Sequence, residues 1–268
     1  MGVVTRRIWG RGPAAIGEAP LRRAAIALTL IMWSETARGA EPMLVPPTPK
    51  QQASAQLIFL PDEKARLDAP LRRGERRVLM TGAYSSGDRF APEGFVVQRG
   101  DARLARLQGW DGLLLIDGEG RPSLHNVAGV GHGDRVWNLR DREARREFVQ
   151  VARREGLSAV QSHLLINEGV LDLRPAEGAP RAVRRLLFET DDGRIGVYDT
   201  RPRALTLYEA AQALRKRVGP RFALNLDMGT YDFCEKQSAQ GAVLCGRLRR
   251  DDIGKLTNVL AITLAPGS

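Results

Sequence analysis

Short apolar runs closed by turn signals constrain this chain more than any other feature. Leu57–Leu60 and Val78–Met80 are two such runs, and Gly94–Gln98 ends at Arg99-Gly100-Asp101. Leu113–Ile116 ends at Asp117-Gly118, and Val160–Ile166 ends at Asn167-Glu168-Gly169. Leu186–Phe188 leads through Asp191-Asp192-Gly193 into Ile195–Tyr198, a hairpin pattern, and Val259–Leu264 closes the series. Runs of this length bounded by Gly, Asp and Asn read as strands. Two segments carry helical periodicity instead. One spans about Leu139–Glu155, with Asn138 as cap, an apolar stripe of Phe148, Val149 and Ala152, and Gly156 at its end. The other opens with the capping box Thr206-Leu207-Tyr208-Glu209, puts Leu207, Ala210, Ala211, Leu214 and Val218 on one face and stops at Gly219-Pro220. The expectation is an α+β fold: a single domain over residues 57–268, with a mixed β-sheet and a few packed helices.

The N-terminus follows a different logic. Arg22-Arg23 precede a run of ten apolar-leaning residues, Ala24–Trp33, which ends at Ser34-Glu35-Thr36. A bilayer span needs roughly 20 apolar residues, so this run is too short to cross. The order of charged, apolar and small residues, with Ala37, Gly39 and Ala40 as a cleavage zone, is that of a signal peptide. Residues 1–40 are therefore expected to be removed, leaving no membrane span, and residues 41–56, rich in Pro, Gln and Ala, to form an extended lead-in. The expected location is the periplasm or the exterior.

Charge narrows the partners. The chain carries 41 Lys+Arg against 31 Asp+Glu, a net +10. Without the leader's six Arg and two Glu, the balance falls to 35 against 29, or +6, with the signs interspersed. No basic block of the kind that neutralises several phosphates of a duplex is present, which argues against nucleic acid. Cys234 and Cys245 are the only cysteines. An oxidising compartment permits a bridge between them; the other reading is two buried thiols. No metal-ligand spacing joins His125, His132 and His163, and Gly-rich Ala128–Gly133 lacks a βαβ context. Neither a metal nor a cofactor is expected.

Three places combine polar chemistry with apolar surroundings. Phe222–Leu226 reads as a buried strand on which Asn225 and Asp227 share one side, followed by Met228-Gly229-Thr230. A carboxylate leaving a buried strand into a polar turn either activates a substrate or caps the turn. Arg181, Arg184 and Arg185 enter a strand together and either grip a phosphate or form a solvated face; Arg184 faces the Leu186 side and Arg185 the opposite one. Gln161-Ser162-His163 interrupts an apolar run with three hydrogen-bonding side chains that need partners or a wet cavity.

In order, these motifs resemble the phosphodiester glycosidase family (N-acetylglucosamine-1-phosphodiester alpha-N-acetylglucosaminidase-like domains). Thr81-Gly82-Ala83-Tyr84 and Ala91–Gly100 resemble its opening Asn-Gly-Gly-Phe/Tyr and Pro-x-Gly strand, and Gln161–Gly169 resembles its Gln-Ser-Gly-Pro segment. Arg184 stands nine residues before Gly193, as the family's arginine does before a hairpin glycine. Thr206–Gly219, Ala223–Asp227 and Asn258–Leu260 complete the order, so the likeness spans about residues 76–264. It departs at Thr81, Ala83, His163-Leu164, Phe188 and Met228–Tyr231, where the family has smaller residues or Asn; bulk there narrows a pocket or moves its backbone.

The resemblance implies hydrolysis of a sugar-1-phosphodiester, with an N-acetylhexosamine as the default sugar. It implies Asp227 and Arg184 as the catalytic pair, for the reacting carbon and the phosphate. Thr81, Gly82, Tyr84, Gln161, Ser162, His163, Asn225, Gly229, Thr230 and Tyr231 then meet the sugar. The rival readings are a glycan- or envelope-binding module on the same fold, without turnover, and a structural domain whose charges only pair on the surface.

Overall fold

The structure is a computed structural model that describes residues 43–86, 91–228 and 231–267, all within one unit spanning Arg38–Ser268. The expected signal peptide, and with it Gly229 and Thr230, lies outside the described residues. Among the described residues no helix is long and apolar enough to cross a membrane.

Three antiparallel sheets carry the architecture. The first has six strands in the order Met43–Pro49, Arg194–Asp199, Arg185–Glu189, Phe222–Asn225, Leu164–Asn167 and Val170–Leu171. The second has five: Asp101–Leu104, Val96–Gln98, Ser158–Ser162, Gly112–Ile116 and Pro122–Asn126. The third also has five: Gly241–Leu244, Cys234–Ser238, Arg76–Thr81, Asn258–Leu264 and Ala53–Phe59. A small ribbon pairs Val130–His132 with Arg135–Trp137. Alternation gives each sheet an inner and an outer face. The inner faces share one core, in which Leu187, Val197 and Leu224 of the first sheet meet Val96, Leu114 and Val160 of the second and Val78, Leu260 and Ile262 of the third.

Each outer face has its own cover. Helix α1, Arg142–Glu155, lays Phe148, Val151 and Ala152 against Phe95, Val97 and Leu113 of the second sheet. Helix α2, Leu207–Val218, lays Ala210, Ala211 and Leu214 against Leu186, Phe188 and Ala223 of the first. The third sheet is covered by short 3-10 turns through Leu67 and Ile253.

The expected α+β fold with a mixed sheet is corrected by this arrangement. Strand dominates, every described pairing is antiparallel, and α1 and α2 are the only α-helices among the described residues. Parallel strands need crossovers of a dozen or more residues, usually helical, and most connections here are tight turns. The segment 43–56 carries strands as well: Met43–Pro49 pairs with Arg194–Asp199 and Ala53–Phe59 with Asn258–Leu264, joined by a 3-10 turn at Lys50–Gln52.

Helix α1 starts three residues later than its periodicity indicates. Asp141, rather than Asn138, accepts from Ala144 N at 2.8 Å, while Asn138 folds onto Arg140 N at 3.1 Å. The capping box of α2 forms as read, with Glu209 N to Thr206 Oγ1 at 3.1 Å and Thr206 N to Glu209 Oε2 at 2.9 Å. Such a cap contributes about 1 kcal/mol. Gly156 and Gly219 end the two helices in left-handed geometry.

Candidate active site

The run Val160–Ile166 is not one strand. Ser158–Ser162 belongs to the second sheet and Leu164–Asn167 to the first, and the chain changes sheet at His163. A residue at such a corner escapes the in-and-out alternation of either strand. His163 therefore emerges half-buried beside the end of Phe222–Asn225, whose last residue donates Asn225 N to His163 O at 3.1 Å.

A second chain end meets it there. Strand Arg76–Thr81 runs out into Gly82-Ala83-Tyr84, and the buried Asn258 amide clamps this turn: Oδ1 accepts from Ala83 N at 2.8 Å and Nδ2 donates to Ala83 O at 3.3 Å. A Cβ on residue 82 would strike Asn258 Oδ1, so the clamp requires glycine. It aims Tyr84 at the sheet corner. The Tyr84 hydroxyl lies 3.1 Å from His163 Nδ1 and accepts from Asn225 Nδ2, whose other proton goes to Leu226 O at 3.0 Å. Trp110 completes the wall, with its ring centroid 4.7 Å from Tyr84 and 5.1 Å from His163.

The two charges arrive from neighbouring strands. Arg185–Glu189 pairs with Phe222–Asn225 so that Leu186 faces Asn225, and Leu226 N donates to Arg185 O at 2.9 Å. Arg184 and Asp227 are the next residues outward on these two strands, and Asp227 turns toward the third sheet, its N donating to Gly82 O at 3.1 Å. Both act on the Tyr84 hydroxyl. Burial pushes its pKa up to about 12, hydrogen bonds from Asn225 and Ser162 oppose that rise, Asp227 adds to it and Arg184 draws it back.

Asp227 is buried, and burial lifts its pKa to about 6 against hydrogen bonds from the Ser85 and Met228 amides, with Glu93 adding like-charge repulsion. Ser85 N lies 3.2 Å from Oδ2. Arg184 is half-buried and tethered by backbone oxygens, Nε to Leu205 O at 3.2 Å and Nη2 to Pro180 O at 2.8 Å. Nη1 has no partner among the described residues. His163 is held below the ordinary imidazole range by burial and then by Arg184, so it stays neutral near pH 7. Two clefts have walls formed by residues close in sequence to Asp227 and Tyr84. A cleft of about 570 Å³ lies beside Val183, Met228 and Arg247, and another of about 490 Å³ beside Ser86, Glu93 and Arg106.

Several expected contact residues turn inward instead. Gln161 is fully buried; its Oε1 accepts from Phe95 N at 3.0 Å and Gln108 N at 2.9 Å, and its Nε2 donates to the carbonyls of Gln108 and Trp110. Ser162 donates to Asn225 O. Thr81 donates to Tyr231 O and accepts from Phe233 N at 3.0 Å. Gly82 contributes its carbonyl, which accepts from Asp227 N at 3.1 Å. Tyr231 packs beside Leu60 and Leu248 on the outer face of the third sheet. Phe188, where the family has glycine, fills space left by Gly196 across the hairpin and lies under α2, away from Tyr84.

Arg181 pairs with Glu209 of α2 at 2.8 Å on the surface. Arg185 has no solvent exposure and bonds Asp199 Oδ2 at 3.0 Å, Asp232 Oδ1 at 3.1 Å and Phe233 O at 3.0 Å. Arg201 bridges the same carboxylates at 2.8 and 3.1 Å and donates to Cys245 O. Burial alone would raise the Asp199 pKa, but Arg185 and Arg201 hold it below the usual carboxylate range. Cys234 and Cys245 are joined, with Cα atoms 4.9 Å apart. Among the described residues no cluster of His, Cys, Asp and Glu is fit to hold a metal.

Residue-by-residue reading missed Trp110, Glu93 and the Arg185–Asp199–Asp232–Arg201 quartet. A lone Trp after Gln108-Gly109 carries no periodic signal. The quartet joins four residues that only the sheet brings together.

No family model matches this chain, and no curated protein matches it. Twelve chains among the solved structures match it, including the following two. The zebrafish N-acetylglucosamine-1-phosphodiester alpha-N-acetylglucosaminidase catalytic domain, auto-inhibited by its pro-peptide, aligns with a TM-score of 0.49 at 10% identity over 81% of this chain and 74% of that one. A hypothetical protein from Synechocystis aligns with a TM-score of 0.47 at 13% identity, over 80% of this chain and 57% of that one.

Proposed function

We propose that this chain is an exported hydrolase that cleaves a sugar-1-phosphodiester. One observation carries the reading: Arg184 and Asp227 leave adjacent strands just past their last ladder pair, and both bear on the Tyr84 hydroxyl. The ordered motifs that resemble the phosphodiester glycosidase family support it, and the leader and the joined cysteines support export.

The chemistry follows from where charge develops. As the bond between the anomeric carbon and the phosphate oxygen breaks, the electron pair leaves with the phosphomonoester, and Arg184 Nη1 compensates the growing negative charge. The anomeric carbon becomes oxocarbenium-like and needs a carboxylate beside it. Asp227 in its ionised form stabilises that carbon and steers the attacking water, whose proton it accepts. A phosphomonoester departs readily, so a second carboxylate is not required.

The test is hydrolysis of an N-acetylglucosamine-1-phosphodiester by the wild-type chain, Asp227→Asn and Arg184→Ala, each checked for folding by circular dichroism. Asp227→Asn is expected to lose turnover, and wild-type kcat/KM is expected to fall as the pH drops below about 6, where Asp227 takes up a proton. Full turnover in Asp227→Asn ends the proposal. The aromatic wall of Tyr84, Trp110 and His163 also suits a module that binds glycans without cleaving them; saturable binding with no turnover identifies that reading.

A further inference from the structure

Trp110 is the aromatic ring beside Tyr84 and His163 that no motif accounts for, and the fold invests several groups in holding it. Its loop is fastened by the fully buried Gln161 amide, which bonds Gln108 N, Gln108 O and Trp110 O. Its ring presses on residue 94, where a Cβ would stand 3.1 Å from Trp110 Cζ3 and φ is +81°, so both space and backbone require glycine. Trp110 is only partly buried despite these restraints, and its indole N–H has no partner among the described residues. A core tryptophan finds a partner for that group. A rigid aromatic face left open beside charged groups is a binding surface.

We propose that Trp110, with His163 and Tyr84 beside it, forms the subsite that stacks the apolar face of the hexopyranose ring. This rests on the hydrolase reading above. Two arguments select the sugar as the occupant. Tyr84 stacks near Trp110 at 4.7 Å and the next residue, Ser85, donates its N to Asp227 Oδ2 at 3.2 Å, so a ring on Trp110 is the one nearest the carboxylate and the reacting carbon. The wall itself is uncharged, since His163 is kept neutral, which suits the neutral end of the substrate while Arg184 takes the anion.

Calorimetric titration with methyl N-acetylglucosaminide, N-acetylglucosamine-1-phosphate and inorganic phosphate tests this on the full folded chain. Trp110→Ala is expected to weaken both sugar ligands about tenfold, with Trp110→Phe restoring most of the loss and phosphate binding unchanged. In turnover, the effect should appear in KM rather than kcat. Unchanged sugar affinity in Trp110→Ala overturns the subsite. So does equal weakening of sugar-phosphate and phosphate, which marks a collapsed loop, and so does Trp110-dependent binding of uridine diphosphate alone, which marks a nucleobase shelf. If no phosphodiester is cleaved, the hydrolase reading fails while methyl N-acetylglucosaminide binding still decides the role of Trp110.

Discussion

Arg184 and Arg185 are consecutive residues with opposite surroundings. Arg185 points into the protein, fully buried, its donors satisfied by Asp199, Asp232 and Phe233 O, and Arg201 closes the quartet beside the disulfide. Arg184 points the other way, partly exposed, held by two carbonyls with Nη1 unpartnered among the described residues, while Asp227, whose pKa is lifted to about 6, pairs with no guanidinium there. In the first cluster each charge has an opposite charge in contact, and the geometry is closed. In the second the charges stand apart around a tyrosine hydroxyl. A closed ionic cluster fixes structure; an open one leaves electrostatic work for a ligand.

That contrast can be broken by experiment. The largest effect expected is on turnover: Asp227→Asn should lower kcat/KM for a sugar-1-phosphodiester by about a thousandfold, and Arg184→Ala by about a hundredfold. Comparable activity in both variants and wild type would make the open cluster no different from a surface pair. Next comes stability. Arg185→Met leaves the buried Asp199 and Asp232 with only the partly exposed Arg201 as partner and should cost about 3–5 kcal/mol in urea unfolding, whereas Arg184→Ala should cost under about 1 kcal/mol. Equal losses would erase the distinction.

Reduction of Cys234–Cys245 should lower stability by about 2–3 kcal/mol, measured by thermal melts with and without reductant. A smaller effect of opposite sign belongs to Asp227. Its folded pKa of about 6 lies above its ordinary 3.8, so the stability it lends is present below about pH 4 and lost as the pH rises through 6. Asp227→Asn should therefore stabilise the chain by about 1–2 kcal/mol at pH 7.5, with the gain vanishing near pH 4. The smallest effect sharpens the distance between the charges. Because Arg184 lowers the His163 pKa, Arg184→Ala should raise it, read by imidazole NMR titration, while Arg185→Met should leave it in place.

Local signals were legible where physics is local. The Thr206–Glu209 capping box and the hairpin around Gly193 formed as their residues indicate, because their hydrogen bonds lie within a few positions. The opposite facing of Arg184 and Arg185 followed from strand alternation. The corner at His163 was hidden, since an unbroken apolar run looks the same whether it stays in one sheet or passes between two. Gln161 and Thr81 were polar in apolar settings, and that alone does not tell a ligand-binding amide from one that clamps a loop.

The residues by themselves determined that this chain is a series of short strands with two capped helices and that Asp227 and Arg184 stand at the ends of buried segments. Both follow from alternation, capping and turn chemistry, which act over a few residues. The tertiary structure alone decided which arginine became scaffold, that the sheets are antiparallel around one shared core, and that Trp110 joins Tyr84 and His163. Those outcomes depend on which strand ends meet, and pairing between residues far apart in the chain is set by packing the whole core at once.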